Sequence, residues 1–343
     1  MFMDMTLQKI IALMVVGLVG GLLSGFIGSG GAFVLTPAMM SLGAPAAVAV
    51  ASNMCHKFPK ALVGAYKRYR YGQVDLKLAM VMASTAVIGV QIGVQIQKYI
   101  LHNWGNAGSN LYVSVIFVIV LIIVGGFVSY DAYQLSKHRH LDQGHKVSKL
   151  AQTLMKFEIP PMIEFKVAKV RISAWVTIPI GLATGVLAAT IAVGGFIGVP
   201  GMIYVVGASA VVASATELVI AFVMGAWGSI QWGLSGLIDI RLTLLILSTS
   251  LIGVQLGALG TTYVKDYMIK VVMAATMLII AISRGAKIPG YLSDIGWQDA
   301  LDENLASVLN NISFWSLVAA LGTAGLIITV AMFKGILEHR RSV

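Results

Sequence analysis

Residues 20–37 read Gly20-Gly-Leu-Leu-Ser-Gly-Phe-Ile-Gly-Ser-Gly-Gly-Ala-Phe-Val-Leu-Thr-Pro37, and a related stretch recurs later as Gly181-Leu-Ala-Thr-Gly185 and Val193-Gly-Gly-Phe-Ile-Gly-Val-Pro200. Beyond the proline, residues 52–93 align with residues 216–257 at a constant offset of 164, with 12 identities in 42 positions. Self-similarity at a fixed offset indicates an internal duplication. If Ser24-Gly25 is matched with Thr184-Gly185, the second copy carries an insertion before Gly194.

The composition is typical of a membrane protein. Of 343 residues, 58% are hydrophobic and 11% are charged, whereas a soluble domain carries about 25% charged residues. Apolar runs such as 10–27, 111–128 and 314–333 are long enough to cross a bilayer core of about 30 Å. Because helices satisfy their own backbone hydrogen bonds in lipid, we predict an all-α integral membrane protein with eight or nine hydrophobic helices.

The net charge of +10 arises from residues between the apolar runs. Such charges set topology and contact anionic membrane lipid. No basic stripe with interleaved aromatic residues is present, so we predict no nucleic-acid partner. The single cysteine, Cys55, excludes an intrachain disulfide and a cysteine-based zinc site. We predict no cofactor and no metal.

Charge and hydropathy divide the chain into four segments. Residues 1–130 form the first transmembrane repeat, 131–171 a basic linker, 172–284 the second transmembrane repeat, and 285–343 a surface helix with an extra terminal span. The linker carries eight Lys or Arg residues, which predicts a cytoplasmic location. Within it, Val147, Leu150, Ala151 and Leu154 share one helical face, with lysines elsewhere, which predicts a helix on the membrane surface.

The loop charges predict that the second copy is inverted relative to the first. Each copy then needs an odd number of crossings, which one span and a re-entrant hairpin would provide, with tips at Gly43-Ala-Pro45 and Gly207-Ala-Ser209. Inverted repeats with broken or re-entrant helices are typical of secondary transporters. We expect a multi-pass protein of the cytoplasmic (inner) membrane, with a homodimer as one possible assembly.

The duplicated Ser/Thr-Gly…Gly-x-Gly-Gly…Pro segment, with the polar pair that follows it, resembles the sulfite exporter TauE/SafE family of permeases. This family is also described as the toluene sulfonate uptake permeases. The resemblance covers nearly the whole chain except the linker and the residues after about 285. It implies transport of a small anion such as sulfite, sulfoacetate or another sulfonate.

Two glycine clusters are candidate parts of a substrate site. Gly30 and Gly31, after Ser29, and Gly194 and Gly195 allow backbone N–H groups to face an anion. Close packing of helices is the alternative role for small residues, and we favour it for Gly185.

Glu217 is the strongest single signal, since a carboxylate at membrane depth costs about 2.5 to 3.5 kcal/mol and is normally paired or functional. It follows Thr216, and the equivalent pair in the first copy is Ser52 and Asn53. We predict that these four residues line the substrate site and that Glu217 carries a proton. A structural partner for a lysine of the other copy is the alternative.

Three further polar residues complete the predicted site. Lys57 shares a helical face with Asn53 and either binds the anion or extends to the interface. Gln91 and Gln255 occupy equivalent positions and either bridge helices or line the pathway. Outside the site, Asp75 and Asp239 are predicted to be helix N-caps.

The leading hypothesis is therefore a secondary carrier for a small anion, with no catalytic residues. An intramembrane enzyme would need clustered carboxylates or histidines at metal-ligand spacing, and the sequence lacks such a cluster. An anion channel is the third class, and it differs from a carrier because it shows neither saturation nor counterflow.

The loop charges yield a topology prediction: residues 98–110 lie outside and residues 131–171 in the cytoplasm. In a Cys55→Ala background, an impermeant maleimide added outside intact cells should label a cysteine at position 105 and leave one at position 145 unmodified. Labelling at 145 without labelling at 105 would disprove this topology.

Overall fold

A computed structural model describes residues 2–27, 31–137, 148–157, 159–260 and 266–342. Within these ranges the regular secondary structure is helical apart from one small hairpin. The elements in chain order are α1 (Leu7–Ile27), α2 (Ala32–Ser41), α3 (Ala46–Arg70), α4 (Leu76–Lys137), α5 (Lys149–Met155), β1 (Met162–Phe165), β2 (Val170–Ser173), α6 (Ala174–Ile191), α7 (Gly195–Pro200), a π-helical turn (Gly201–Val206), α8 (Ala210–Leu234), α9 (Ile240–Gly260), α10 (Asp266–Gly285), α11 (Ile288–Asp294) and α12 (Glu303–Ser342).

Seven helices among the described residues are long and apolar enough to cross a membrane. The predicted all-α membrane class is confirmed. Two shorter apolar helices, Ala32–Ser41 and Gly195–Val206, lie where the half-length segments were expected. The inverted orientation of the two copies stays a prediction.

Two predicted boundaries differ from the structure. Residues 98–110, expected to be a loop, are helical except at Gly105, whose φ of 61° and ψ of −159° interrupt α4. The surface helix and final span expected at 297–311 and 313–333 are joined in one continuous helix, α12, which begins only at Glu303; no glycine or proline separates the two segments.

The chain forms two compact units. Unit 1 comprises Met1–Ala49, Gln97–His140 and Asp239–Val343, and unit 2 comprises Val50–Ile96 and Leu141–Ile238. Each unit therefore combines segments of both sequence copies. In unit 1, α1 of the first copy packs along α9 of the second. In unit 2, α6 of the second copy contacts residues 76–96 of α4 from the first.

In unit 1, glycines bring the backbones of α1 and α9 into direct contact. A Cβ at Gly21 would overlap the backbone of Ser250, and a Cβ at Gly253 would overlap the carbonyl of Leu18. Only glycine permits this approach, which lipid-embedded helices need because lipid tails are as apolar as their side chains.

In unit 2, the helices α6 and α4 meet through the same arrangement. A Cβ at Gly185 would overlap the carbonyl of Ala86, and one at Gly89 would overlap that of Leu182. Each of these four positions lies 164 residues from its counterpart in unit 1.

These contacts correct the alignment of the glycine-rich stretch. Because Gly21 corresponds to Gly185, residues 17–31 align with 181–195 without a gap, and 7 of the 15 positions are identical. The insertion that the sequence comparison assigned to the second copy is therefore wrong, since the two stretches have the same length. The error came from matching Ser24-Gly25 with Thr184-Gly185 by residue type.

An antiparallel hairpin, β1–β2, lies within the predicted linker and was not expected. The carboxylate of Asp75 accepts hydrogen bonds from the backbone N–H groups of Val167 (2.9 Å) and Ala168 (3.0 Å) in the hairpin turn. It also accepts one from Leu78 at 3.0 Å in the first turn of α4. The predicted N-cap role of Asp75 is confirmed.

Asp239 is likewise confirmed as an N-cap. Its carboxylate accepts a hydrogen bond from the backbone N–H of Arg241 at 3.0 Å, in the first turn of α9. The guanidinium of Arg241 also pairs with this carboxylate at 2.9 Å.

The glycine contacts predict a cost for a single added methyl group. Gly185→Ala would force the α6 and α4 backbones apart, so we expect a loss of about 1 to 3 kcal/mol in unfolding free energy. Gly126→Ala is the matched control, because a Cβ there meets nothing within 4 Å, and alanine is favoured in helices by about 0.5 to 1 kcal/mol. Thermal unfolding in detergent measures both. An unchanged melting temperature for Gly185→Ala would contradict the packing.

Candidate functional site

In unit 2, α3 and α8 pack closely and carry five of the twelve predicted site residues. The rings of Phe58 and Phe222 lie 6.5 Å apart between centroids. A Cβ at Gly225 would lie 2.9 Å from the Cβ of Phe58, and Gly228 faces the side chain of Met54. Small residues on α8 thus let α3 approach closely.

Glu217 lies on α8 with only 3% of its surface exposed. Neither carboxylate oxygen has a hydrogen-bond partner within the described parts of the chain. The carboxylate rests against Gly198 of α7, where any Cβ would overlap Oε2. A buried carboxylate without partners is costly, so its retention calls for a functional explanation.

Lys57 is the cation that interacts electrostatically with Glu217. It lies on α3, is 7% exposed, and interacts electrostatically with the carboxylate. The two side chains make no direct ion pair, since neither Glu217 oxygen has a partner. Lys57 is therefore buried, and the alternative of extension to the membrane interface is not supported.

The polar residues around Lys57 are also buried. Ser52, Asn53 and His56 on α3 are fully covered. Nδ1 of His56 lies 3.3 Å from Oδ1 of Asn53. The sequence alone does not reveal this contact, because burial of a histidine leaves no periodic signal.

Thr216 connects Glu217 to the start of α4. Its hydroxyl accepts a hydrogen bond from the backbone N–H of Asp75 at 3.1 Å. The carboxylate of the same Asp75 holds the hairpin turn. Thr216 thus connects α8, the helix that carries Glu217, to the start of α4.

The glycine clusters are placed differently. Gly194 precedes α7 and packs near the carbonyl of Thr184 and the methyl of Met224, while Gly195 is buried at the first position of α7. Gly31 belongs to unit 1, where it packs against Gly20. Ser29 and Gly30 lie outside the described residues.

The two equivalent glutamines also have different surroundings. Gln91, in unit 2, has a buried Oε1 without a hydrogen-bond partner in the described chain. Gln255, in unit 1, is exposed on α9. Of the twelve predicted site residues, eight belong to unit 2: Ser52, Asn53, Lys57, Gln91, Gly194, Gly195, Thr216 and Glu217.

Sequence reasoning passed over one buried charge, Arg284. It lies in the apolar span Lys270–Asp294 and has no exposed surface. The criterion that identified Glu217, a charge inside an apolar span, would have identified it. It was missed because it follows the last residues matched between the copies.

The cluster in unit 2 offers one carboxylate, one ammonium group, an amide and two hydroxyls in a buried setting. An ammonium and an amide can bind an oxyanion, and a carboxylate beside them can take up or release a proton. This is the chemistry of binding and exchange.

A family model described as "Sulfite exporter TauE/SafE" matches residues 13–284. The chain belongs to this family. It is also similar to a protein of Bacillus subtilis (strain 168) named "Probable membrane transporter protein YdhB", with 22% identity over 268 residues, 76% of this chain and 94% of that protein. No solved structure matches the chain. The expected resemblance is confirmed, and the chain is a multi-pass membrane transporter protein.

The contact between Gly198 and Glu217 predicts a specific coupling. Gly198→Ala should displace the carboxylate, and because a side-chain end moves more readily than backbone, the stability loss should be smaller than for Gly185→Ala. In a Glu217→Ala background the same change should cost almost nothing. A double-mutant cycle by thermal unfolding measures this coupling, which we expect at about 0.5 to 3 kcal/mol. Equal costs of Gly198→Ala in both backgrounds would contradict the contact.

Proposed function

We propose that the protein is a secondary transporter for a small sulfur-containing or organic anion, such as sulfite, sulfoacetate or another sulfonate, in the cytoplasmic membrane. The family supports the substrate class. The observation that carries the mechanism is the buried, unpartnered carboxylate of Glu217. Lys57 and the amide of Asn53 act as the anion-binding groups on α3.

Glu217 couples anion movement to a proton. A negative charge beside an anion opposes binding, so the carboxyl group binds a proton before or together with the substrate. Lys57 of α3 interacts electrostatically with Glu217, and His56 and Lys60 lie close to Lys57 on the same helix. These are the competing titratable groups.

The coupling predicts that the anion binds more tightly as pH falls, by up to about tenfold per pH unit for one proton. Glu217→Gln imitates the neutral carboxyl group, so it should bind the anion as tightly at high pH as the wild type does at low pH. Glu164→Gln, which removes an exposed carboxylate from β1, should keep the wild-type slope. Binding and uptake of labelled methanesulfonate, which stays ionised throughout, in proteoliposomes across about pH 5 to 8 measure this dependence.

Counterflow of labelled sulfite in the same vesicles separates a carrier from a channel. A Glu217→Gln protein with the wild-type pH slope would assign the dependence to His56, Lys57 or Lys60 and reject Glu217 as the coupling group.

A further inference from the structure

Unit 1 contains a buried cation without a carboxylate partner. Arg284, near the end of α10, has no exposed surface. Its Nη2 donates hydrogen bonds to the hydroxyls of Ser41, at the end of α2, and Ser313 of α12, the latter at 3.3 Å. Nε and Nη1 have no hydrogen-bond partner within the residues that the structure describes. Arginine is almost never fully buried unless it is paired.

The hydroxyl groups around Arg284 are held in place by one another. Ser283 donates a hydrogen bond to the carbonyl oxygen of Ser313 at 2.6 Å, and the two hydroxyls lie 3.3 Å apart. Both serines are fully buried. The N–H groups of a guanidinium lie in one plane, and the O–H groups of fixed hydroxyls lie beside them. Both can donate hydrogen bonds to the oxygen atoms of an oxyanion.

A cavity of about 380 Å³ lies between α11 and α12, and its lining begins at Ala286, two residues after Arg284. Its lining includes Lys287, Tyr291 and Asn310, and Nζ of Lys287 donates to Oδ1 of Asn310. Lys287 and Tyr291 both interact electrostatically with Arg284. The cavity size falls in the range of small-ligand sites, about 300 to 1,000 Å³.

The charges around Arg284 favour an anion. Lys287 adds a second positive charge, and Asp294 is the only carboxylate in the cavity lining. With Arg284 included, the group therefore carries one net positive charge. A structural role, in which Arg284 only ties the C-terminus of α2 to α10 and α12, would not need two further unpaired nitrogens inside the protein.

We propose that Arg284, with the hydroxyls of Ser41 and Ser313, binds a small oxyanion that enters through the cavity beside Lys287. The site lies in unit 1 and does not include Glu217. Its ligand belongs to the same class of small anions as the substrate of the proposed function, and the choice of this class rests on that function. It needs no proton coupling.

The test uses the purified full-length chain in detergent at constant ionic strength, with sulfate and methanesulfonate as probes and chloride as the comparator. A ligand that binds only the folded state stabilises it by RT ln(1 + [L]/Kd), so the melting temperature rises with ligand concentration. We expect both oxyanions to raise it more than chloride does, and calorimetry to give matching affinities. Arg284→Gln should abolish the oxyanion effect.

Two milder variants keep the test valid if Arg284→Gln does not fold. Arg284→Lys keeps the charge but loses the planar donors, so we expect about tenfold weaker binding. Ser313→Ala should weaken binding several-fold. Arg171→Gln, which removes an exposed arginine on β2, is the matched control and should behave as wild type. Wild-type affinity in Arg284→Lys and Ser313→Ala, or in a folded Arg284→Gln, overturns the proposal.

Failure of this site is distinguishable from failure of the proposed coupling. Glu217→Gln should retain its Arg284-dependent response to methanesulfonate whatever happens to the pH dependence of uptake. A structural role alone would lower the melting temperature of Arg284→Gln in chloride and leave its shift with methanesulfonate unchanged, which would also overturn the proposal.

Discussion

Direct backbone contact between helices, made possible by glycine, is the constraint on which both units depend. Lipid provides no hydrophobic force that drives one apolar helix against another, so association relies on close packing. In unit 1 that packing joins α1 to α9, and in unit 2 it joins α6 to α4. The short helices α2 and α7 follow α1 and α6, so their positions depend on these contacts. Glu217 is held against Gly198 only because α7 is placed in this way.

The glycine contacts also explain how one duplicated sequence produces different chemistry in its two units. Each unit takes its paired helices from both copies. Lys57 of the first copy therefore lies in the same unit as Glu217 of the second. Substitutions after the duplication could change one copy without disturbing the backbone contacts, because the glycines that make them were kept in both. Asn53 and Glu217 occupy equivalent positions but differ in charge.

Much of the fold follows from residue type, while the site depends on three-dimensional contacts. Apolar length predicts the spans, and Asp75 and Asp239 mark helix starts because their side chains cap free N–H groups. The hairpin was not predicted, because the basic charge of the segment favoured a helix on the membrane surface. A strand signal is present, however, since Ile163, Phe165, Val170 and Ile172 alternate with polar residues. The gap-free match of Gly21 with Gly185 needed the helix contacts, because identical residue types elsewhere suggested another register. The neighbours of Glu217, such as Lys57, and those of Arg284, such as Ser41, come from helices distant in sequence.

Each unit thus contains a buried charge without a hydrogen-bonded counterion in its described residues: a carboxylate in unit 2 and a guanidinium in unit 1. A permanent partner would repay the cost of burial, but removing it would then leave an uncompensated charge, so the pair would be fixed. A transporter needs partners that leave. A proton can neutralise Glu217 and an oxyanion can neutralise Arg284, and both can dissociate again. Binding must be favourable enough for entry and weak enough for release. In both proposals, therefore, the counterion of the buried charge is exchangeable, and an exchangeable counterion meets both requirements.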